Sequence, residues 1–319
     1  MKRLGWLGLL LGIALLCWIL SEADLPKVWF HVRNLGWRFG LILIFYIVIF
    51  GLDTIGWQYT FMSGVVSDIR LDGLFRARLS GEAVNYFTPS AWIAGEPVKA
   101  YLLNKRHGVS MADGMASVVI AKMTFSVSMF LFILTGIAVT ALTQQRLAPS
   151  LFRWVWLVLP ALGLLLTIAF VVQFLKPFQQ TALVLKLFLS KWLHNIGSKL
   201  HEWDQAITMF YQKSPKAVFL SLGFHFLGWM AGVIEVWLIL YFLRSPVDLY
   251  TAWSVESLWV LLKAGAFLIP ASVGASEGFL LLICAGLGID TVSGLALALI
   301  RRAREIAWMG LGLLDLIKR

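Results

Sequence analysis

Residues 269–278 read Ile269-Pro270-Ala271-Ser272-Val273-Gly274-Ala275-Ser276-Glu277-Gly278, which places a proline, two glycines and a glutamate inside an otherwise apolar stretch. A regular helix cannot run through it, because Pro270 lacks the amide that would bond back one turn and its ring crowds the preceding carbonyls. Earlier in the chain Gly81-Glu82-Ala83-Val84-Asn85-Tyr86-Phe87-Thr88-Pro89 is followed by Gly95-Glu96-Pro97-Val98-Lys99. In both places a proline precedes a glutamate by seven positions, Pro89 to Glu96 and Pro270 to Glu277, with glycine between. One such match carries no weight. Two, at corresponding places in two halves, point to a repeated unit.

The surroundings say what kind of unit. The 319 residues are 60% hydrophobic and 14% charged, against about a quarter charged in soluble domains. Crossing a membrane takes roughly 20 apolar residues. Full spans are expected at 4–20, 39–62, 117–142, 154–175, 217–243 and 292–317. Segments 65–106 and 252–289 are different: each starts and ends on one side and is interrupted by proline, glycine and charge. Non-helical backbone at membrane depth is tolerated only where protein buries it or water lines it, so both are expected to be re-entrant helical hairpins. The fold class is therefore an all-α polytopic membrane protein, about six full spans plus two hairpins, in one membrane domain over 1–319.

Charge places the sides. Lys2, Arg3, the cluster Lys99, Lys105 and Arg106, the connector 176–216 and the tail Lys318-Arg319 are assigned to the cytoplasmic face. Lys27, Arg33 and Arg38 fall on the other face, against the trend. In the connector, Leu185, Phe188, Leu189, Trp192, Leu193, Ile196 and Leu200 recur at helical spacing among lysines, the pattern of an amphipathic helix lying on the membrane surface. On this topology the hairpins enter from opposite faces, making 39–142 and 217–317 inverted repeats whose broken helices meet near the midplane. Ser21-Glu22-Ala23 after the first apolar run resembles a secretory cleavage site, but the run is longer than a usual signal core and is expected to stay as a first helix. Cys17 and Cys284 both lie in apolar segments, too few for a metal site or disulfide framework.

The residues expected to bind substrate are Asn85, Pro89, Glu96, Lys99 and Lys122 in the first half and Lys263, Pro270, Gly274, Glu277, Arg301 and Arg302 in the second. A cation follows each motif glutamate at similar distance, Lys122 after Glu96 and Arg301 or Arg302 after Glu277. Half-helix N-termini offer amides to a phosphate, the cations add charge, and the glutamates orient the cations or pair with an amine. The plainer reading is that Pro and Gly only kink helices while the glutamates neutralise lysines. Asp53, Glu235, Glu256 and Glu305 also sit in or beside spans, where each charge costs about 2.5–3.5 kcal/mol and calls for a partner. Glu256 and Lys263 share a helical face, and Glu305 is within pairing reach of Arg301 and Arg302. His225, alone on an apolar span, is read as a packing residue, and Gly228-x3-Gly232 as a close-packing face.

The pattern Asn85…Pro89…Gly95-Glu96, with Pro270-x3-Gly274-x2-Glu277 and a basic residue in the helix after each, resembles the transmembrane (flippase) domain of the lysylphosphatidylglycerol synthase family. Stand-alone members exist, some associated with hopanoid biosynthesis. The resemblance implies movement of a lipid headgroup between leaflets, with Glu96, Lys122, Glu277 and Arg301 or Arg302 at the matching positions. This chain has Lys122 where many members have arginine, and Thr88-Pro89-Ser90-Ala91-Trp92 where Pro-Gly-Arg is common.

The expected function is thus a flippase-like transporter of a phospholipid, polyprenyl-linked lipid or hopanoid in a bacterial inner membrane. The competing readings are an integral-membrane lipid-modifying enzyme or a scaffold subunit of a lipid-synthesis complex. No phosphate loop, His-Glu-x-x-His or Gly-x-Ser-x-Gly signature is present, so no enzyme activity and no cofactor or metal are expected. The formal charge of +10 is assigned to topology and anionic headgroups rather than nucleic acid. Membrane lipids, lipid-synthesis enzymes or a second copy of the chain are the expected partners.

Overall fold

The structure is a computed structural model that describes residues 2–61, 69–88, 93–143, 194–265 and 269–318, with scattered positions between 160 and 171. Among the described residues every regular element is a helix. In chain order they are α1 (Lys2–Glu22), α2 (Leu25–Leu35), α3 (Arg38–Gln58), α4 (Leu71–Phe87), α5 (Gly95–His107), α6 (Met111–Thr143), α7 (His194–Lys213), α8 (Pro215–Phe242), α9 (Leu249–Gly265), α10 (Ala275–Gly286) and α11 (Thr291–Ile317). The short 3-10 turn Pro270–Ser272 separates α9 from α10.

Local chemistry sets the ends. Asp24 caps α2 by accepting from the Lys27 amide, Asp290 caps α11 by accepting from Ser293, and Pro215 opens α8 where its missing amide has no helical partner to lose. Gly108 ends α5 in the left-handed region, φ 69°.

Three helices among the described residues are both long and apolar enough to cross a bilayer: α3, α6 and α8. Two other expected spans fall short for identifiable reasons. Of the first, Leu10–Glu22 is described as a shorter apolar helix, and α11 carries Arg301, Arg302, Arg304 and Glu305 at its middle. The expected span 154–175, most of the amphipathic stretch 185–200 and Pro89 lie outside the described residues. What is described of the connector is α7, which buries Ile207 and Phe210 against Ala116 and Ile120 of α6.

Packing joins the two halves through α11, which lies against both α4 and α10, while α8 lies against α3 and α6. The main core draws Phe132 and Ile133 of α6, Val236 and Leu240 of α8, Val255 and Leu258 of α9, and Leu297 and Ile300 of α11 into one cluster. Helix α1 packs on the 3-10 turn and the start of α10, with Ile19 over Gly278. At one end, Asp315 of α11 takes Arg76 and Arg106 at 2.6 Å each and accepts from Ser80 at 3.0 Å. This clasp brings the basic end of α5 beside the C-terminal end of α11.

Asp315→Asn leaves two guanidinium groups short of their shared carboxylate. Given the worth of hydrogen bonds to charged groups, the expected loss is about 1.5–3 kcal/mol, read as a lower melting temperature in detergent. An unchanged melting temperature would mean the clasp is solvated and contributes nothing.

Candidate functional site

A cavity of about 300 Å³ lies where α3, α4, α5, α6, α8, α9 and α11 converge. Its wall mixes aromatic rings, among them Tyr46, Phe50, Phe125, Trp229 and Trp259, with charged side chains that an apolar bundle would otherwise exclude. Six carboxylates line it, Asp53, Glu82, Glu96, Glu235, Glu256 and Glu305, and so do six cations, Arg78, Lys99, Lys122, Lys263, Arg301 and Arg304.

The α4–α5 pair builds one side. Lys99 Nζ donates to Glu82 Oε1 at 2.6 Å and to Glu96 Oε2 at 2.9 Å, and Lys122 Nζ of α6 lies 3.4 Å from Glu96 Oε1. Asn85 ties the two helices together. Its amide nitrogen donates to Glu82 and Glu96, both at 3.3 Å, while its oxygen accepts from the Gly95 amide at 2.7 Å. Half-helix N-termini were expected to offer free amides, and the start of α5 is not free in that way. The Gly95 amide is already engaged by Asn85, and the first turn carries the Glu96 carboxylate, which repels an anion. Lys99, assigned by charge pattern to the cytoplasmic surface cluster, is instead 6% exposed inside the cavity wall.

The opposite side is built from α8, α9 and α11. Arg301 grips Glu256 through two bonds, 2.6 and 2.9 Å, and lies 3.7 Å from Glu235. Arg304 is 3.3 Å from Glu235, and Lys263 is 3.3 Å from Glu305. Rings support the cations from below: Arg301 and Lys263 both lie over Trp259, at 4.0 and 4.3 Å, and Arg304 over Tyr46 at 4.1 Å.

Arg302 points away from its neighbours on α11, as an adjacent helical position must. Its Nε donates to Glu277 at 2.6 Å and its Nη1 to the Tyr86 hydroxyl at 2.7 Å and the Ala271 carbonyl at 2.8 Å. The backbone there is left-handed at Ala271 and Ser272, φ 52° and 48°, a conformation that costs of order 1–3 kcal/mol per residue. The turn aims both carbonyls at Arg302, the second at 3.4 Å. The cation answering Glu277 is therefore Arg302, with Arg301 committed to Glu256 and Glu235.

Of the residues expected from the sequence, Asn85, Glu96, Lys99, Lys122, Lys263 and Arg301 line the cavity. Glu277 and Arg302 stand one layer behind, reaching the wall through Tyr86 and Glu305. Gly274 is the N-cap of α10 at φ 75°, and Pro270 lies in the 3-10 turn.

Sequence reasoning did not assign Arg78, Glu82 or Arg304 to the site, and it gave His225 to packing. In the structure Arg78 Nη2 donates to Asp53 Oδ2 at 3.0 Å, and His225 Nδ1 is 2.8 Å from Asp53 Oδ1. The two glycines of Gly228-x3-Gly232 make room for carboxylates. A Cβ at Gly228 would meet Asp53 Oδ1 at 2.9 Å, and one at Gly232 would meet Glu256 Oε1 at 3.0 Å.

Comparison with known proteins places the chain in a membrane-protein family. The family described as the lysylphosphatidylglycerol synthase TM region matches residues 5–312. A curated relative, the UPF0104 membrane protein of Methanothermobacter thermautotrophicus, is 27% identical over 275 residues, 82% of this chain and 79% of that protein. No solved structure matches the chain. With the match running through all of the helices that wall the cavity, the chain is a multi-pass membrane protein of the lysylphosphatidylglycerol synthase transmembrane-region family.

Proposed function

We propose that the protein moves a lipid with a polar or phosphate headgroup between leaflets, the headgroup passing through the central cavity while the acyl chains stay in the bilayer. In this reading the chain has about six spans in a bacterial inner membrane, with 65–106 and 252–289 as re-entrant hairpins of two inverted repeats. Phospholipids, polyprenyl-linked lipids and hopanoids are the candidate classes. The observation that carries the proposal is the cavity itself, a space of about 300 Å³ walled by ion pairs from both halves of an apolar bundle. Charge at that depth is expensive and marks substrate or ion pathways. A scaffold has no use for it. An enzyme would need a carboxylate held ready as a base, whereas each carboxylate on the wall is already within 4 Å of a cation.

The test is leaflet exchange of labelled lipids with several headgroups in proteoliposomes. Exchange is expected to depend on the headgroup and to fall at least tenfold in the Glu96→Gln/Glu277→Gln double variant, which keeps the shapes and removes two anchoring charges. Absence of exchange with every lipid, from protein shown to be folded, would remove the proposal. Lys122→Met is expected to slow exchange with little loss of stability, since Lys122 is the most open of the cavity cations at 38% side-chain exposure. An unchanged rate would make Lys122 a counter-charge only.

A further inference from the structure

We propose that the Asp53–His225 pair is a proton site, and that the cavity takes up one proton there together with a headgroup carrying one net negative charge. The inference rests on the lipid-moving reading and adds its coupling and substrate class.

Charge balance is the first ground. The cavity's six carboxylates and six Lys or Arg cations cancel. The pair just behind them, Glu277 and Arg302, cancels as well. An anionic headgroup entering this poorly screened space leaves one negative charge uncompensated, which is costly at low dielectric. Among the described residues His225 is the only histidine on the wall, and so the one lining side chain whose ordinary titration lies near neutral pH.

Geometry is the second ground. With Arg78 donating to its Oδ2, the Asp53 side chain accepts on its Oδ1 from the His225 nitrogen 2.8 Å away, which places the neutral ring's proton on Nδ1. The other nitrogen, Nε2, is left with a bare lone pair, and it is buried without a hydrogen-bond partner among the described residues. A proton landing there makes an imidazolium already seated on Asp53.

The groups facing the ring are few. Asp53 comes from α3, and Arg78 of α4 and Lys99 of α5 act on it from further off. From α6 comes Phe125, edge-on at 5.3 Å, with Lys122 one turn before it. On α8 itself Glu235 lies beyond, held by the α11 arginines, and Glu256 of α9 faces Gly232. Among the described residues Asp53 is the only carboxylate bonded to the ring, and it is the neighbour that favours an added proton, against burial and the cations Arg78 and Lys99. The proton comes from water on the side where the headgroup enters and is released to water where it leaves, so the cycle is electroneutral.

The experiment uses the full chain in vesicles with the membrane potential clamped at zero, a pH difference of one unit, a pH dye inside and protein-free vesicles as background. One arm carries labelled phosphatidylglycerol, singly anionic, and the other labelled phosphatidylethanolamine, zwitterionic. The anionic label is expected to collect in the leaflet on the alkaline side by about tenfold per pH unit, the ratio one proton per lipid allows, with a matching dye signal. The zwitterionic label is expected to equalise. In His225→Gln the accumulation and the dye signal are expected to vanish. If that variant does not fold, the wild-type dye trace decides. Anionic label that exchanges but equalises overturns the proton site and leaves the lipid-moving reading intact. Accumulation of the zwitterionic label, or accumulation that folded His225→Gln retains, overturns the assignment too. No exchange of either label, from folded protein, overturns the singly anionic substrate assigned here, whereas the lipid-moving reading falls only if every headgroup of the wider panel fails as well.

Discussion

Arg301→Met is expected to leave little folded protein in the membrane. Arg301 is 5% exposed, bonded twice to Glu256 at 2.6 and 2.9 Å, 3.7 Å from Glu235 and stacked on Trp259 at 4.0 Å. Taking it away strands the buried Glu256 carboxylate and leaves Glu235 with Arg304 alone. Breaking a buried pair by removing one partner costs about 3–5 kcal/mol, a large share of the roughly 5–15 kcal/mol that holds a domain folded. Removing both charges in Arg301→Met/Glu256→Leu is expected to restore much of the loss, because it is the unpaired charge and not the missing bond that dominates. Thermal unfolding of the two variants in detergent gives the coupling directly. As a contrast, Arg70 and Asp72 pair at 3.2 Å with side chains 88% and 65% exposed, and Arg70→Ala is expected to change little. A single Arg301→Met variant that melts like the wild type would mean the cavity floods with water and screens the carboxylates.

That same network shows how far sequence alone carries. Apolar length located α3, α6 and α8 directly, because a span reports itself within one window of residues. The pairs Glu96–Lys122 and Glu277–Arg302 were legible because each links a motif to the helix that follows it. Which of Arg301 and Arg302 answers Glu277 was not, since adjacent helical positions differ only in the direction they face, and direction depends on what packs nearby. Asp53 illustrates the other limit. A carboxylate in a 21-residue apolar helix announces that a partner exists, yet Arg78 lies 25 positions on and His225 172, with no periodicity joining them. Gly228 and Gly232 were legible as a small-residue face, but not as space reserved for two carboxylates. The engagement of the Gly95 amide was hidden for a similar reason: nothing in the spacing shows that Asn85 reaches it.

The crossing that Asn85 secures gives the second large effect, one in which no charge is touched. At Gly81 and Gly95 the backbones of α4 and α5 meet. A Cβ on Gly95 would stand 2.7 Å from the Gly81 carbonyl carbon and 2.9 Å from Asn85 Cγ, closer than side-chain carbons approach anything. The approach is mutual, since a Cβ on Gly81 would stand 2.9 Å from the Gly95 carbonyl oxygen. Gly95→Ala must therefore part the helices. That breaks the Gly95–Asn85 bond and draws Lys99 away from Glu82, so the cavity loses its charge pairing along with its shape. Overpacking of this kind costs typically about 1–3 kcal/mol, and the displaced ion pairs add to it. Gly40 and Gly51 of α3 face open space, where alanine is expected to be neutral or stabilising by roughly 0.5–1 kcal/mol. Melting curves for the three alanine variants, with exchange rates beside them, separate a general effect of filling glycine from one confined to the crossing. The expected outcome is a lower melting temperature and at least tenfold slower exchange for Gly95→Ala alone. Equal behaviour of all three would show that α4 and α5 are not held backbone to backbone, and that the Lys99–Glu82–Glu96 cluster does not depend on their contact.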